Sequence, residues 1–190
     1  MAVLCPGWAL VVLGTLSVAS GVVAFFPGLS LQLQAYVAWS CRVACPVWAG
    51  LLAVCAGAVT VRSGLRKRTR SLAEASCALC VLSAAASVPH LSLALSSLLM
   101  GPLCRYSHAG VAGTAYLGQA VRWPYPYALW QETRTFCVEP LGAEWQHLAL
   151  QVLDVALSSS ELALAITAGV SQGRRLVASR VPQPLQSLSV

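Results

Sequence analysis

The chain consists of four long apolar runs, separated by shorter segments in which the polar residues are concentrated. The runs lie at about residues 8–26, 43–61, 76–100 and 148–170. About 20 apolar residues are enough to cross the hydrocarbon core of a bilayer as a helix. A cleaved signal peptide is the alternative for the first run, but no basic residue precedes that run and its apolar stretch is long for such a segment. The pattern therefore predicts four transmembrane helices.

Within each run, small and polar residues recur at alternate spacings of three and four, which places them on one face of a helix. In the fourth run that face holds His147, Gln151, Asp154, Ser158, Glu161, Ala165, Ala168 and Gln172. In the third it holds Ser76, Cys80, Ser83, Ser87, His90, Ala94, Ser97 and Gly101. The first run has Gly7, Gly14, Gly21 and Gly28 with Ser17 and Ala24 between them, and the second has Gly50, Gly57 and Gly64 with Ala53 and Thr60. Small residues let membrane helices approach closely, and heptad spacing favours left-handed crossings. We therefore predict an all-α fold, in which residues 1–190 form a single integral membrane domain, an antiparallel, left-handed four-helix bundle with close-packed seams.

The charged residues indicate the orientation of these helices. They make up only 9% of the chain, and its mean hydropathy is +0.71, whereas a soluble domain carries about 25% charge. The net charge of +6 arises mainly from the connector 62–73 and the tail 171–190, and basic residues beside transmembrane helices mark the cytoplasmic side. We expect cytoplasmic termini, an extracellular or lumenal loop at 102–147, and a plasma or secretory-pathway membrane. The expected partner of the chain is the lipid bilayer, and we expect no nucleic acid. The basic run RSGLRKRTR at residues 62–70 is either a topology signal alone, which we favour, or it also attracts anionic lipid.

The eight cysteines divide between the two sides of the membrane. Cys41, Cys45, Cys104 and Cys137 fall on the outer, oxidising side, where four cysteines allow three pairings. We favour a disulfide between Cys104 and Cys137, because it closes the 102–147 loop near its base. The C-x-x-C of Cys77 and Cys80 has no second pair or histidine cluster beside it, so we expect neither a metal nor another cofactor.

The outer loop contains an aromatic segment, RWPYPYALW, at residues 122–130. Tyrosine and tryptophan favour the headgroup boundary of a bilayer, where the ring is buried and its polar edge stays wet. The same residues are frequent anchors of protein–protein interfaces. Both interpretations of this segment stay open.

The fourth run also carries two acids on its polar face, Asp154 and Glu161. Counting inward from the ends of the runs places His90 at a depth between them, and Ser158, one turn from each acid, can bridge the two carboxyls. An ionisable residue inside a membrane suggests a functional site. The alternative is that the acids stay protonated and donate hydrogen bonds to neighbouring helices. The polar cluster of His90, Asp154, Ser158 and Glu161 is thus the candidate site.

Three stretches of the chain resemble the transmembrane protein 212 family of four-span membrane proteins. These stretches are LSVASGVVAFFPG (16–28), CRVACPVWAGLLAV (41–54) and GPLCRYSHAGVAGTAYLGQAVRWPYPYA (101–128), and the similarity runs from about residue 13 to about residue 165. The layout, together with CPVWAG at the start of the second run, is also loosely similar to the membrane-spanning four-domain family, subfamily A. The resemblance implies a multi-pass membrane protein of undefined activity, so it assigns no functional residues.

The function predicted from these observations is non-enzymatic, because one histidine and two carboxylates lack a nucleophile or a set of metal ligands. Close helix seams, an aromatic outer loop and short tails favour a protein that organises other membrane proteins or serves as an accessory subunit of their complexes. Its expected partner is another membrane protein or a second copy of the chain. The alternative is a proton or ion conduit, or a channel subunit, that uses the intramembrane His90, Asp154 and Glu161.

Overall fold

The computed structural model describes residues 4–26, 41–65, 70–108, 111–121, 137–139 and 142–178. In chain order its elements are α1 (Leu4–Ala24), α2 (Cys41–Leu65), α3 (Arg70–Met100), β1 (Leu103–His108), β2 (Val111–Tyr116), α4 (Leu117–Val121), β3 (Cys137–Glu139) and α5 (Ala143–Ala178). Most of the described residues are helical, which confirms the predicted helical character. The three short strands are a departure from the all-α prediction.

Four of these helices, α1, α2, α3 and α5, are long and apolar enough to cross a membrane. All four extend beyond the apolar runs: α1 begins at Leu4, α2 reaches Leu65, α3 begins at Arg70 and α5 ends at Ala178. Most of the expected connector 62–73 is therefore helical, as is the start of the tail 171–190. Arginine, glutamate and alanine have high helix propensity, and Arg70 pairs with Glu74 one turn later at 3.0 Å.

Glycines mark the change from helix to loop around the strands. Gly101 follows α3 with a φ of 73°, and its N–H donates to the carbonyl of Ser97 at 3.0 Å. This left-handed conformation is cheap only for glycine, and Pro102 cannot continue the helix. Gly142 also has a left-handed backbone conformation, with a φ of 77°, and it lies directly before the first residue of α5.

Helices α1 and α2 pack backbone to backbone. A Cβ atom added to Gly14 would lie 2.6 Å from the carbonyl oxygen of Gly50, and a Cβ added to Gly50 would lie 2.6 Å from that of Gly14. Gly57 faces the carbonyl of Gly7 at the same distance, and Gly21 faces Val47 further along. The order of these contacts shows that the two helices run in opposite directions.

Helix α3 packs between α2 and α5, and α5 also contacts α1. The ring nitrogen Nε2 of His147 lies 3.0 Å from the carbonyl oxygen of Ser97 at one end of the α3–α5 pair. A Cβ on Gly169 would lie 3.5 Å from the Cβ of Cys80 towards the other end. Helices α3 and α5 therefore also run in opposite directions.

The strands form one antiparallel sheet in the order β2-β1-β3, next to the C-terminal end of α3. Six residues of β1 pair with six of β2, from Leu103 with Tyr116 to His108 with Val111. Cys104 and Cys137 form a disulfide bond between β1 and β3, and Leu117 and Leu148 pack beside it. We call this end of the molecule the sheet end, and the other end, where α2 ends and α3 begins, the opposite end.

The side chains are distributed as expected for lipid as the solvent. Large apolar residues point outward, as shown by the 68% exposure of Trp48 and the 60% exposure of Val81. Small and polar residues are buried between the helices, among them Ser17, Thr60, Ser83, Ser87, Ser158 and Glu161, each with 0% exposure. A soluble domain has the reverse arrangement.

Candidate functional site

All four residues of the predicted polar cluster lie between the helices. His90 is 1% exposed, Asp154 3%, and Ser158 and Glu161 0%. His90 comes from the buried face of α3 and the other three come from the buried face of α5. The spacing of small and polar residues, which indicated these faces, thus places the side chains in a common interior.

Asp154 has a hydrogen-bond partner on another helix. The hydroxyl of Ser20 in α1 donates to its carboxyl oxygen Oδ1 at 2.7 Å. Both groups are buried, so the bond links α1 to α5 inside the molecule. Ser20 was not among the predicted site residues, although it follows Ser17 by three positions and so lies on nearly the same face of α1.

Glu161 is different, because neither of its carboxyl oxygens has a hydrogen-bond partner among the described residues. Ser17 of α1 lies beside it. The hydroxyl of Ser17, however, donates to the carbonyl oxygen of Pro46 in α2 at 3.4 Å. The interior therefore contains a carboxyl group with two unused hydrogen-bonding atoms.

His90, like Glu161, has no hydrogen-bond partner for its side chain among the described residues. Neither Nδ1 nor Nε2 of its ring forms a hydrogen bond within the described part of the chain. The hydroxyl of Ser83, two turns before it on the same face of α3, is also buried without a partner. A buried imidazole normally donates from one nitrogen and accepts at the other, so this arrangement is unusual.

Ser158 does not bridge the two acids as the sequence analysis suggested. Its hydroxyl donates to the backbone carbonyl of Asp154 at 2.7 Å and lies 3.3 Å from that of Val155. A serine within a helix readily bonds to the carbonyl four residues earlier, and this local bond occupies its only donor. Ser87 does the same with the carbonyl of Ser83 at 2.9 Å.

The helix contacts place Glu161 close to the level of Ser83 and His90. Because α3 and α5 are antiparallel, a residue a given number of positions after His147 in α5 lies level with the residue the same number of positions before Ser97 in α3. On this count Glu161 lies level with Ser83. The same count from the Gly169–Cys80 contact places Glu161 level with Val88. With a rise of about 1.5 Å per residue, Glu161 is at most about 8 Å from Ser83 and about 10 Å from His90 along the helix axis. The three unpartnered residues therefore share one region of the interior.

A second cluster of polar side chains lies nearer the opposite end, and its members form hydrogen bonds between helices. Thr60 bonds to Ser76 at 2.8 Å and approaches Cys80 at 3.6 Å, which joins α2 to α3. The amide of Gln172 donates to the hydroxyl of Ser63 at 2.7 Å, which joins α5 to α2. Within the described ranges no three histidine, cysteine or acidic residues come together as a metal site would need.

The sheet end is fixed to the helices by polar contacts as well as by the disulfide. The N–H of Cys137 donates to Oε1 of Glu144 at 2.8 Å, which connects β3 to the first turn of α5. The amide of Gln146 donates to the carbonyl of Phe26 at 3.1 Å. The aromatic segment 122–130, for which two interpretations were left open, lies outside the described residues.

A carboxyl and an imidazole in one apolar interior can hold or exchange a proton, and serines can relay it. The same groups can also act only as hydrogen-bonding contacts between helices. No protein-family model and no solved structure matches the chain.

Proposed function

We propose that the chain is a multi-pass membrane protein built as an antiparallel, left-handed four-helix bundle, with both termini in the cytoplasm and the sheet end outside. Glycines spaced by seven along α1 and α2 support left-handed crossings. Arg62, Arg70, Arg174 and Arg175 lie at or near the opposite end, as the positive-inside rule requires of a cytoplasmic surface. The plasma membrane or a secretory-pathway membrane fits an oxidised disulfide at the sheet end. On the residues quoted above, we also propose kinship with the transmembrane protein 212 family.

Its proposed role is non-enzymatic: the protein accompanies or organises other membrane proteins, or a second copy of itself. The observation that carries this proposal is on the outer face of α5. There Ala156, Ser160, Ala163 and Thr167, spaced by four, three and four, are exposed. The two hydroxyls bond to carbonyls of their own helix, at 2.7 Å and 3.0 Å, so they tolerate an apolar environment. Small residues at this spacing are typical of helix–helix contacts in membranes.

Enlarging this outer face tests the role. The Ala156→Leu, Ala163→Leu double variant adds bulk where a partner helix would approach, so association should weaken by about 5- to 150-fold, the effect of about 1–3 kcal/mol of overpacking. The measurement is the mass of the protein extracted in polymer nanodiscs, together with energy transfer between labelled copies in liposomes. The control is Ala85→Leu, on the exposed face of α3.

The melting temperature of all three proteins should be the same, because these positions do not face the interior. A wild-type protein that is extracted as a monomer alone would contradict the proposed role. So would a double variant that keeps the mass of the wild-type complex.

A second candidate is the proton or ion conduit, favoured by the unpartnered atoms of Glu161 and His90. With Asp154, these groups occupy staggered depths on facing helices, as a series of binding positions for a permeating ion would. Functional groups of this kind are retained although they cost stability.

A flux assay in liposomes tests this candidate. Purified protein should carry a proton or cation flux, detected with a pH-sensitive or cation-sensitive dye under an applied gradient, and the Asp154→Asn, Glu161→Gln double variant should abolish it. The control, Glu74→Gln, changes an exposed carboxylate at the start of α3 and should leave the flux unchanged. Equal leakage from liposomes with and without the protein would remove the conduit from consideration.

A further inference from the structure

We propose that Glu161, His90 and Ser83 form an internal water-binding site, in which ordered water links a protonated Glu161 carboxyl to a neutral His90 imidazole. The inference is independent of the proposed association with a partner and of ion conduction. It concerns what occupies the interior of the protein.

The buried polar atoms without hydrogen-bond partners are concentrated in one part of the described structure. Among the described residues, five buried side-chain atoms lack a hydrogen-bond partner: Oε1 and Oε2 of Glu161, Nδ1 and Nε2 of His90, and Oγ of Ser83. They belong to only three residues, on two helices that pack against each other. Elsewhere in the interior, polar side chains pair across helices, as Ser20 does with Asp154 and Thr60 with Ser76.

Glu161, His90 and Ser83 can each both donate and accept hydrogen bonds. A protonated carboxyl offers one donor and an acceptor, a neutral imidazole offers one of each, and a serine hydroxyl offers both. Water both donates and accepts, and a buried water molecule typically makes about three hydrogen bonds to otherwise unsatisfied groups. A chain of ordered water molecules can therefore satisfy the unused hydrogen-bonding atoms of all three side chains.

The surroundings of Glu161 and His90 favour the neutral form of both side chains. The sequence has no charged residue on α1, none from Ala44 to Val61 on α2, and none on α3 from Ala75 to Met100 apart from the titratable His90. Two further polar groups near the site are the hydroxyl of Ser17 on α1, next to the Glu161 carboxyl, and, one heptad away on α5, Asp154, which accepts from Ser20. A carboxylate at Glu161 would thus face only an imidazolium as counter-charge, and a buried ion pair needs further hydrogen bonds to offset its desolvation. The neutral pair avoids that cost.

Infrared spectroscopy of the protein in liposomes tests the site. Isotopic labelling with ¹³C-glutamate distinguishes Glu161 from Asp154 in the wild-type protein, and exposed glutamates are carboxylates at neutral pH. We expect one protonated glutamate band, which shifts when H₂O is replaced by D₂O and disappears in Glu161→Gln. In His90→Phe the band should shift to higher frequency, because a carboxyl that loses its hydrogen-bonded acceptor has a stiffer C=O bond. The matched control Asp154→Asn should leave the band in place.

Each result decides the proposal. The proposal is overturned if all glutamates are ionised at neutral pH, if the protonated band does not respond to D₂O, or if the His90→Phe band coincides with that of the wild type. It is also overturned if Asp154→Asn shifts the band as much as His90→Phe does. If Glu161→Gln fails to fold, the labelled wild type and His90→Phe still decide the outcome.

Discussion

The two carboxyls of α5 lie seven residues apart on one face, yet their surroundings differ. Helix α1 provides a serine beside each of them, Ser20 for Asp154 and Ser17 for Glu161. The hydroxyl of Ser20 donates a hydrogen bond to Asp154 at 2.7 Å, whereas that of Ser17 donates to the carbonyl of Pro46 at 3.4 Å. An O–H···O bond of that length is weak. Asp154 thus forms a hydrogen bond between helices, whereas neither carboxyl oxygen of Glu161 has such a partner among the described residues.

At this site the sequence predicted which residues face the interior, but not which hydrogen bonds their side chains form. The spacing of polar residues identified His90, Asp154 and Glu161 as inward-facing, because the sequence of a single helix determines which of its residues share a face. The partner of each hydroxyl depends on the relative positions of several helices. For this reason Ser20 was missed and Ser158 was assigned a bridge that it does not make.

Among the described contacts between long helices, glycine is required by geometry between α1 and α2. Gly14 and Gly50 each face the other's backbone carbonyl, so an added Cβ would meet backbone that cannot move without moving the whole helix. The methyl of Val18, 2.9 Å from a Cβ on Gly50, adds to the crowding, because a β-branched side chain in a helix has essentially one rotamer. Close contact of this kind replaces the hydrophobic effect, which is weak between helices in lipid.

We expect the Gly50→Ala variant to be less stable than the wild type by about 1–3 kcal/mol, the usual cost of overpacking. The matched control is Gly173→Ala on α5, where no atom lies within 4 Å of an added Cβ. Alanine has a higher helix propensity than glycine by up to about 1 kcal/mol, so the control should be unchanged or slightly more stable. The measurement is unfolding in mixed detergent micelles, followed by circular dichroism. Equal destabilisation of both variants would show that the α1–α2 contact is not specific.

The helices could be predicted well from the sequence, and the sheet could not. Apolar runs and small-residue faces are long, repeated signals, and the predicted inward faces of α3 and α5 are nearly all buried in the structure. The strands β1 and β2 are only six residues each, and β3 is three. The β2 stretch VAGTAY is rich in glycine and alanine, and neither it nor the β1 stretch LCRYSH shows a clear alternation of apolar and polar residues. These stretches therefore lack the pattern that predicts strands.

The whole molecule consists of two differently stabilised parts. Between the long helices, small residues and interhelical hydrogen bonds hold the interior together. At the sheet end, a disulfide closes a segment with a sequence separation of 33 residues. The two half-cystines are almost fully buried, with 0% exposure for Cys104 and 5% for Cys137, and β3 is further held by Glu144. The sheet has only three strands, so it depends on this cross-link more than the helices do.

Removal of the disulfide should therefore loosen one end of the molecule and not the other. A loop of this length contributes about 3–4 kcal/mol through the entropy of the unfolded chain, so the Cys104→Ser, Cys137→Ser variant should lose most of the protection of its sheet. Hydrogen exchange measured by mass spectrometry should show faster exchange of the β1 and β2 amides. The amides in the middle of α1 and α2, held by the glycine contacts, should keep their rates. Cys55→Ser replaces a free, exposed cysteine and serves as the control for the change of side chain. If exchange rises equally in the sheet and in α1, the two parts unfold as one unit, and the separation proposed here is wrong.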